Sequence, residues 1–392
     1  MTIAICQHPE RILRKFIKRP TRSEFVCPGK IEDEPLTPPD ILRFIPGSRS
    51  RRNSCESARS RCETVRSRCD SRASMIDLPK MRRAEEKSQT SLDRFKYVNE
   101  RMDHTPSSVY VLPNDENEQD RLVSLHFLVK NAFKSNYMAP VHNLLTKGAV
   151  VLDVGCGTGA WTMDMATEFP KSKFIGLELS EIFPQAVKPK NCRFLLCDVH
   201  ERLPFADNSV DYVFQRCLTL AHTQENWAHV MKEFYRVLKP GGWLELMESD
   251  LQVQQPSFSD RIILDQFNTI LLARNQDPFI ARRLTNILSA HGFRKCDSRF
   301  RSLSLEWGGE VGRAFADVNL TVMQSLRSWL APVIGVSLNE YDELLVGIRC
   351  EWVERESFVN FHTAFGQKPR SKEGSGRWGR NMSAGDGLYD YL

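Results

Sequence analysis

From residue 149 onward the apolar positions change rhythm every dozen residues or so. Residues 149–154 form an unbroken apolar run apart from Asp153, while 161–168 space their apolar side chains as one helix face does. Residues 174–177, 194–197, 210–214 and 243–247 are again short strand-like runs, with a helical pattern over 228–238 before the last. A strand covered on both faces has no polar side and reads as continuous hydrophobic sequence. Such strands alternating with helices predict a parallel sheet with helices on both faces. Further on the spacing predicts helices over 261–272 and 279–291, a strand over 298–305, helical runs over 311–330 and 339–354, and a last strand over 357–365. Ahead of the sheet, Asn114-Asp115-Glu116 place acids where a helix begins, and Leu122, Leu125, Phe127 and Leu128 mark its apolar face. A helix over 116–134 follows, then a shorter one over 138–145 that ends before Lys147-Gly148. The expected fold is α/β: a Rossmann-like, doubly wound, mostly parallel seven-stranded sheet with an N-terminal helical lid and a helical insertion before the last strand.

The flanks differ in kind. Residues 1–94 are rich in Arg and Ser, poor in aromatics, and carry the excess positive charge of a chain whose net charge is +5. Within them Cys55, Cys62 and Cys69 begin three related segments about seven residues apart. A disordered tract, a short induced helix and a metal site all stay open as readings of this repeat, although closely paired cysteines are missing. The expected division is a disordered basic tail over 1–94, a helical extension or lid over 95–146, a sheet-bearing domain over 147–368 with its insertion at about 308–354, and a disordered tail over 369–392. Charges of both signs are mixed through the folded part, which argues against a nucleic-acid partner, whereas the basic tail offers a surface for a protein partner. Eleven scattered cysteines suit a reducing compartment, and no run reaches about eighteen apolar residues. Together these predict a protein of the cytoplasm, the nucleus or both, without membrane attachment.

The chemistry centres on Val151-Leu152-Asp153-Val154-Gly155-Cys156-Gly157-Thr158-Gly159-Ala160-Trp161, a strand running through a glycine-rich turn into a helix. Glycine is needed where backbone must bend sharply and press against a ligand, because a β-carbon would fill the ligand's space. Gly155-x-Gly157-x-x-Ala160 also satisfies the relaxed dinucleotide fingerprint. Asp153 speaks against that alternative: a carboxylate beside the turn suits an ammonium group and repels a pyrophosphate.

From about Tyr110 to Pro369, and most strongly from Val151 to Glu248, the chain resembles the class I methyltransferases that use S-adenosylmethionine (SAM). It is closest in character to the ubiquinone/menaquinone-biosynthesis type and to fungal methyltransferases that include regulators of secondary metabolism. Lys173-Phe174-Ile175-Gly176-Leu177-Glu178-Leu179-Ser180 is similar to the family's second motif, which implies that Glu178 receives the ribose hydroxyls. Phe194-Leu195-Leu196-Cys197-Asp198-Val199 resembles the third, which implies that Asp198 receives the adenine amino group and Val199 contributes backbone. The segments 203–212 and 237–243 resemble the loop into strand four and the turn into strand five. The resemblance thus implies a cofactor set of Asp153, Gly155, Cys156, Gly157, Gly159, Glu178, Leu179, Asp198, Val199 and Gln215, with Cys156 filling the turn rather than acting as a nucleophile.

Methyl transfer from a sulfonium is mainly a matter of positioning, so a general base is optional. Arg216 and His222 in the loop after strand four, and Glu248 after strand five, are the candidates for work on the acceptor. No Asn/Asp-Pro-Pro-Tyr, no Pro-Cys nucleophile after a strand and no paired-glutamate loop occurs, which disfavours adenine or glutamine, cytosine and arginine as acceptors. The expectation is methyl transfer to O, N or C of a small molecule, with no metal. The alternative is a SAM-binding regulator that acts through a partner. Phe315, Leu320, Met323, Leu326 and Trp329 of the insertion are candidates for an apolar cover.

Overall fold

In the computed structural model residues 110–370 are described, together with the backbone of a short antiparallel hairpin pairing Lys96–Val98 with Arg101–Asp103. The readings made for the Arg/Ser-rich tail and for the C-terminal tail lie outside the described residues.

The central sheet has the seven strands β1 Val150–Val154, β2 Lys173–Glu178, β3 Cys192–Leu196, β4 Val210–Arg216, β5 Leu238–Gln254, β6 Arg294–Ser304 and β7 Phe358–Gln367. Their order is β3-β2-β1-β4-β5-β7-β6. The first five run parallel, and β7 runs antiparallel to both its neighbours. The order reverses between β1 and β4, so the segments leaving their C-terminal ends diverge and open a crevice there.

The unbroken apolar runs resolve into two faces by strict alternation. Leu152, Val154 and Val213 pack with α4 Gln224–Val237 and α6 Leu284–Ala290 on one side, while Val151, Tyr212 and Phe214 pack with Trp161 and Met165 of α3 Ala160–Glu168 on the other. The Trp161 ring stacks on Phe214 with centroids 4.0 Å apart, which sets the start of α3 against the sheet. α4 begins with a capping box between Thr223 and Asn226.

A third apolar cluster lies outside these two. It joins α1 Glu116–Phe133 to α5 Phe258–Ala273, α7 Glu310–Ser325, α8 Arg327–Ile334 and α9 Leu338–Glu354, over β5 and β7. The last three helices occupy the chain between β6 and β7, where an insertion was expected. Trp352 of α9 donates from its indole nitrogen to both oxygens of buried Asp260, at 3.1 and 2.9 Å, and so ties the insertion to α5.

Four local expectations differ from the structure. The helix expected over 138–145 is only α2 His142–Lys147, because the residue before Pro140 is held out of the helical region. Residues 138–139 instead donate their backbone N–H groups to buried Glu245 of β5, at 2.8–3.0 Å. The run expected over 311–330 breaks at Leu326 into α7 and α8, and that over 279–291 into a 3₁₀ turn and α6. β5 is far longer than 243–247: at its start Gly241 (φ +87°) and Gly242 exchange backbone hydrogen bonds with Lys368 and draw the turn into the sheet, and at its end residues 248–254 go on pairing with β7.

Candidate functional site

The crevice at the β1/β4 reversal holds a cavity of about 430 Å³. β1 delivers the chain into it through Gly155, Gly157 and Gly159, all with positive φ (+66°, +55° and +73°), before α3 begins. A β-carbon on Gly155 would come within 2.6 Å of Leu218, and one on Gly159 within 2.4 Å of Phe194, so those two are required by packing as well as by backbone. Gly157 is different: its nearest neighbour would be Leu122 at 3.5 Å, and it faces the cavity.

Three carboxylates reach the same space from three strand ends. Asp153 is buried and accepts from the Thr162 hydroxyl at 2.5 Å; burial pushes its pKa up to about 6. Glu178 accepts from the backbone N–H groups of Gly157 (2.9 Å), Leu179 (2.8 Å) and Ser180 (3.2 Å), and burial raises its pKa. It therefore fastens β2 to the glycine turn while facing the cavity. Asp198 accepts from the His200 backbone N–H at 2.9 Å.

Of the expected cofactor residues, the cavity is lined by Asp153, Gly155, Cys156, Gly157, Glu178, Leu179, Asp198 and Val199, whereas Gly159 and Gln215 lie behind its wall. Arg216 also lines it. The other two catalytic candidates do not, and the reason is visible in each case. His222 is fully buried: it holds His200 through a 2.9 Å contact between Nδ1 and the partner's Nε2, with its own Nε2 3.3 Å from Gln215 Oε1. An amide oxygen can only accept, so Nε2 carries the proton and Nδ1 receives one from His200. Burial pushes the His222 pKa down to about 3, which leaves it neutral. Glu248 is likewise buried, and its two oxygens accept from the backbone N–H groups of Leu218 and Thr219, each at 3.0 Å, and from the Thr219 hydroxyl at 2.8 Å. Burial pushes its pKa up to about 7. It holds the loop after β4 in place and faces a second, smaller cavity.

Several polar residues at the site were not predicted. Arg216 Nη2 lies 3.3 Å from His126 Nδ1, and His126 Nε2 lies 3.2 Å from Asp164 Oδ2, which also receives Lys130 (2.6 Å) and Asn136 (2.9 Å). Because a guanidinium can only donate, His126 accepts at Nδ1 and donates from Nε2. Burial pushes its pKa down to about 4, consistent with that neutral tautomer. Glu118 and Arg121 of α1 form a buried bidentate pair, at 2.8 and 2.6 Å, beside the entrance. The signal missed was the i, i+3 spacing of Glu118 to Arg121 and the i, i+4 spacing that runs from Glu118 through Leu122 to His126 and Lys130. Among the described residues no cluster of three or more His, Cys, Asp or Glu could hold a metal, and no helix is long and apolar enough to cross a membrane.

Residues 151–242 match the family model described as a methyltransferase domain. In its strand order and its three motifs the chain is similar to the class I SAM-dependent methyltransferases. Methyltransferase pytC of Aspergillus terreus is 35% identical over 163 residues, which cover 41% of this chain and 48% of that protein. The secondary metabolism regulator laeA of Aspergillus fumigatus is 27% identical over 273 residues, covering 63% of this chain and 69% of that one. The chain thus spans about half the length of the first of these relatives. Among solved structures it is similar to Haemonchus contortus phosphoethanolamine N-methyltransferase 2 in complex with SAM, at 21% identity and a TM-score of 0.36, over 63% of this chain and 57% of that one.

SAM is the cofactor of this class, and the residues present suit it. Main chain free of β-carbons faces a cavity that also presents three strand-end acids, Glu118 and one guanidinium, a set that complements a cationic, hydroxyl-rich, zwitterionic ligand.

Proposed function

We propose that this chain is an active methyltransferase that moves the methyl group of SAM to O, N or C of a small-molecule acceptor. The observation that carries the reading is the convergence of the Gly157 main chain, Asp153, Glu178 and Asp198 on one cavity at the sheet's reversal point. Bound SAM supplies a methyl group on a sulfonium, so the acceptor's electron pair takes the methyl carbon while the carbon–sulfur pair stays on sulfur and the acceptor's proton passes to water.

The chain's own residues bind and orient. Asp153 takes the ammonium and Arg216 the carboxylate of the amino-acid end, Glu178 the ribose hydroxyls, and Asp198 with the Val199 backbone the adenine edge. Thr162, His126 and His200 are positioning residues, each holding one of these groups through a hydrogen bond or close polar contact. His222 acts one step further back, through His200, and Glu248 fixes the Leu218–Thr219 backbone; neither is assigned contact with reacting atoms.

The likeness to proteins named secondary metabolism regulators favours one other reading, a SAM-binding protein whose output is partner binding through its basic tail in the nucleus or cytoplasm. Turnover separates the two. Incubating the full chain with methyl-labelled SAM and an extract of its own cells should label a small-molecule fraction. Binding of SAM with no label in any small-molecule or protein fraction would favour the regulator.

A further inference from the structure

The smaller cavity, of about 140 Å³, shares four wall residues with the larger one: Tyr110, Leu122, Leu125 and Cys217. Whatever occupies it lies beside the cofactor cleft, across a boundary formed by those side chains. Its far wall is apolar and comes from three separate helices, with Phe267 of α5, Phe315, Val318 and Val322 of α7, and Leu330 of α8.

Size limits the occupant. A dry cavity of about 150 Å³ walled by Leu, Ile and Phe accommodates one benzene-sized molecule, so the present volume suits one six-membered ring. Charge limits it further. Arg121, a cation on this wall, is already paired with Glu118, and the Glu248 oxygens are engaged by the 218–219 loop. A carboxylate or phosphate on the ring would therefore meet no uncommitted positive group among the described wall residues. One polar atom is different. Asp250 lines the cavity, is 2% exposed and gives Oδ2 to Arg282, while its buried Oδ1 has no hydrogen-bond partner. A buried acceptor atom left unmatched is costly, and a ligand hydroxyl or N–H would satisfy it.

We infer that this cavity is the acceptor site and that it takes an uncharged ring, or the ring end of a larger molecule, bearing a hydroxyl or N–H donor toward Asp250. This rests on the methyltransferase reading, since the ring's opposite edge is then turned toward the cofactor cleft past Tyr110 and Cys217. Anionic rings are the excluded class, and a flexible aliphatic chain, which must be ordered on entry, is the weaker competitor.

The test uses the full chain saturated with S-adenosylhomocysteine (SAH), with fluorine NMR titrations of 4-fluorophenol, 4-fluorobenzoate and 6-fluorohexan-1-ol, and calorimetry of SAH on every sample. The expected result is saturable binding of 4-fluorophenol, with the other two probes weaker by about tenfold or more. Val322→Phe, which fills the cavity from a half-buried position, and Asp250→Asn, which keeps the size but alters the acceptor, should each weaken 4-fluorophenol while leaving SAH affinity unchanged. SAH binding without 4-fluorophenol binding, equal binding of the three probes, or a phenol affinity indifferent to Val322→Phe would overturn the acceptor assignment alone. Failure of the wild-type chain to bind SAH would overturn the cofactor reading, and this inference with it.

Discussion

The two cavities that meet at Tyr110 and Cys217 are built in opposite ways. The larger is made at strand ends from backbone and carboxylates, and its walls come chiefly from short stretches of the first four strands and the turns after them. The smaller is made of side chains that lie far apart in the chain, from Tyr110 to Phe361. A site of the first kind depends on main-chain geometry and tolerates little change at a few positions. A site of the second kind depends on shape, so single substitutions retune it. This is the arrangement expected of an enzyme that keeps one cofactor while its acceptor varies.

The contrast can be broken most forcefully at Gly157. A valine there would put a branched side chain at φ +55° and into the cofactor space, while its β-carbon meets no backbone of the protein within 4 Å. Gly157→Val should lower SAH affinity by about a hundredfold or more with an unchanged far-ultraviolet circular dichroism spectrum. Affinity equal to wild type by calorimetry would remove the glycine turn from the site. Next in size is Glu178→Ala, which deletes a carboxylate that also receives three backbone N–H groups. Its expected cost is about 1–3 kcal/mol in SAH binding. A loss within error would mean that the ribose lies elsewhere.

Arg216→Ala sharpens the comparison within the larger cavity itself. It should weaken SAH by about tenfold, the value of one charge-assisted hydrogen bond, yet leave 5′-methylthioadenosine, which lacks the amino-acid end, unaffected. Equal losses for both ligands would show that Arg216 supports the cavity's shape and not the carboxylate. His126→Ala, removing the group that steadies Arg216, should follow the same selectivity with a smaller effect.

A separate prediction concerns stability. Buried His222 is kept neutral, with its pKa lowered from the unfolded value of 6.5 to about 3. The stability gained from that neutral burial is fully present above pH 6.5 and is lost as the pH falls toward the folded pKa, because the unfolded chain takes up a proton that the folded one refuses. Between pH 6 and 4 the wild type should therefore lose urea stability relative to His222→Gln by about 1.4 kcal/mol per pH unit. Parallel profiles would mean that His222 is protonated in the folded protein.

What could be seen in the sequence follows the same division. The glycine turn, Glu178 and Asp198 were legible because each lies at a strand end within a short motif, where local spacing dictates spatial position. Arg216, one residue past the last residue of β4 paired with β1, was legible for the same reason. His222 occupies the expected loop and Glu248 lies within the lengthened β5 rather than after it, but the spacing of a motif does not reveal which way a side chain turns. Both turn inward: Glu248 receives the backbone N–H groups of Leu218 and Thr219, which need partners once covered, and His222 meets the half-buried His200 ring. The polar relay through His126 and Asp164 joins residues 38 positions apart on two helices, and hydrophobic periodicity treats both merely as polar gaps. The smaller cavity was visible only as an apolar helical insertion. Of the five residues named for its cover, Phe315, Met323 and Leu326 reach the cavity, while Leu320 packs in the core and Trp329 packs against Phe267.

The most direct test of the central claim is calorimetric titration of the full chain with SAH and, separately, with NAD⁺. Saturable one-to-one binding of SAH, abolished in Gly157→Val, with no heat from NAD⁺ is the predicted result. Binding of NAD⁺ in preference to SAH, or binding of neither, would contradict the assignment of the strand-end cavity to an adenosyl sulfonium.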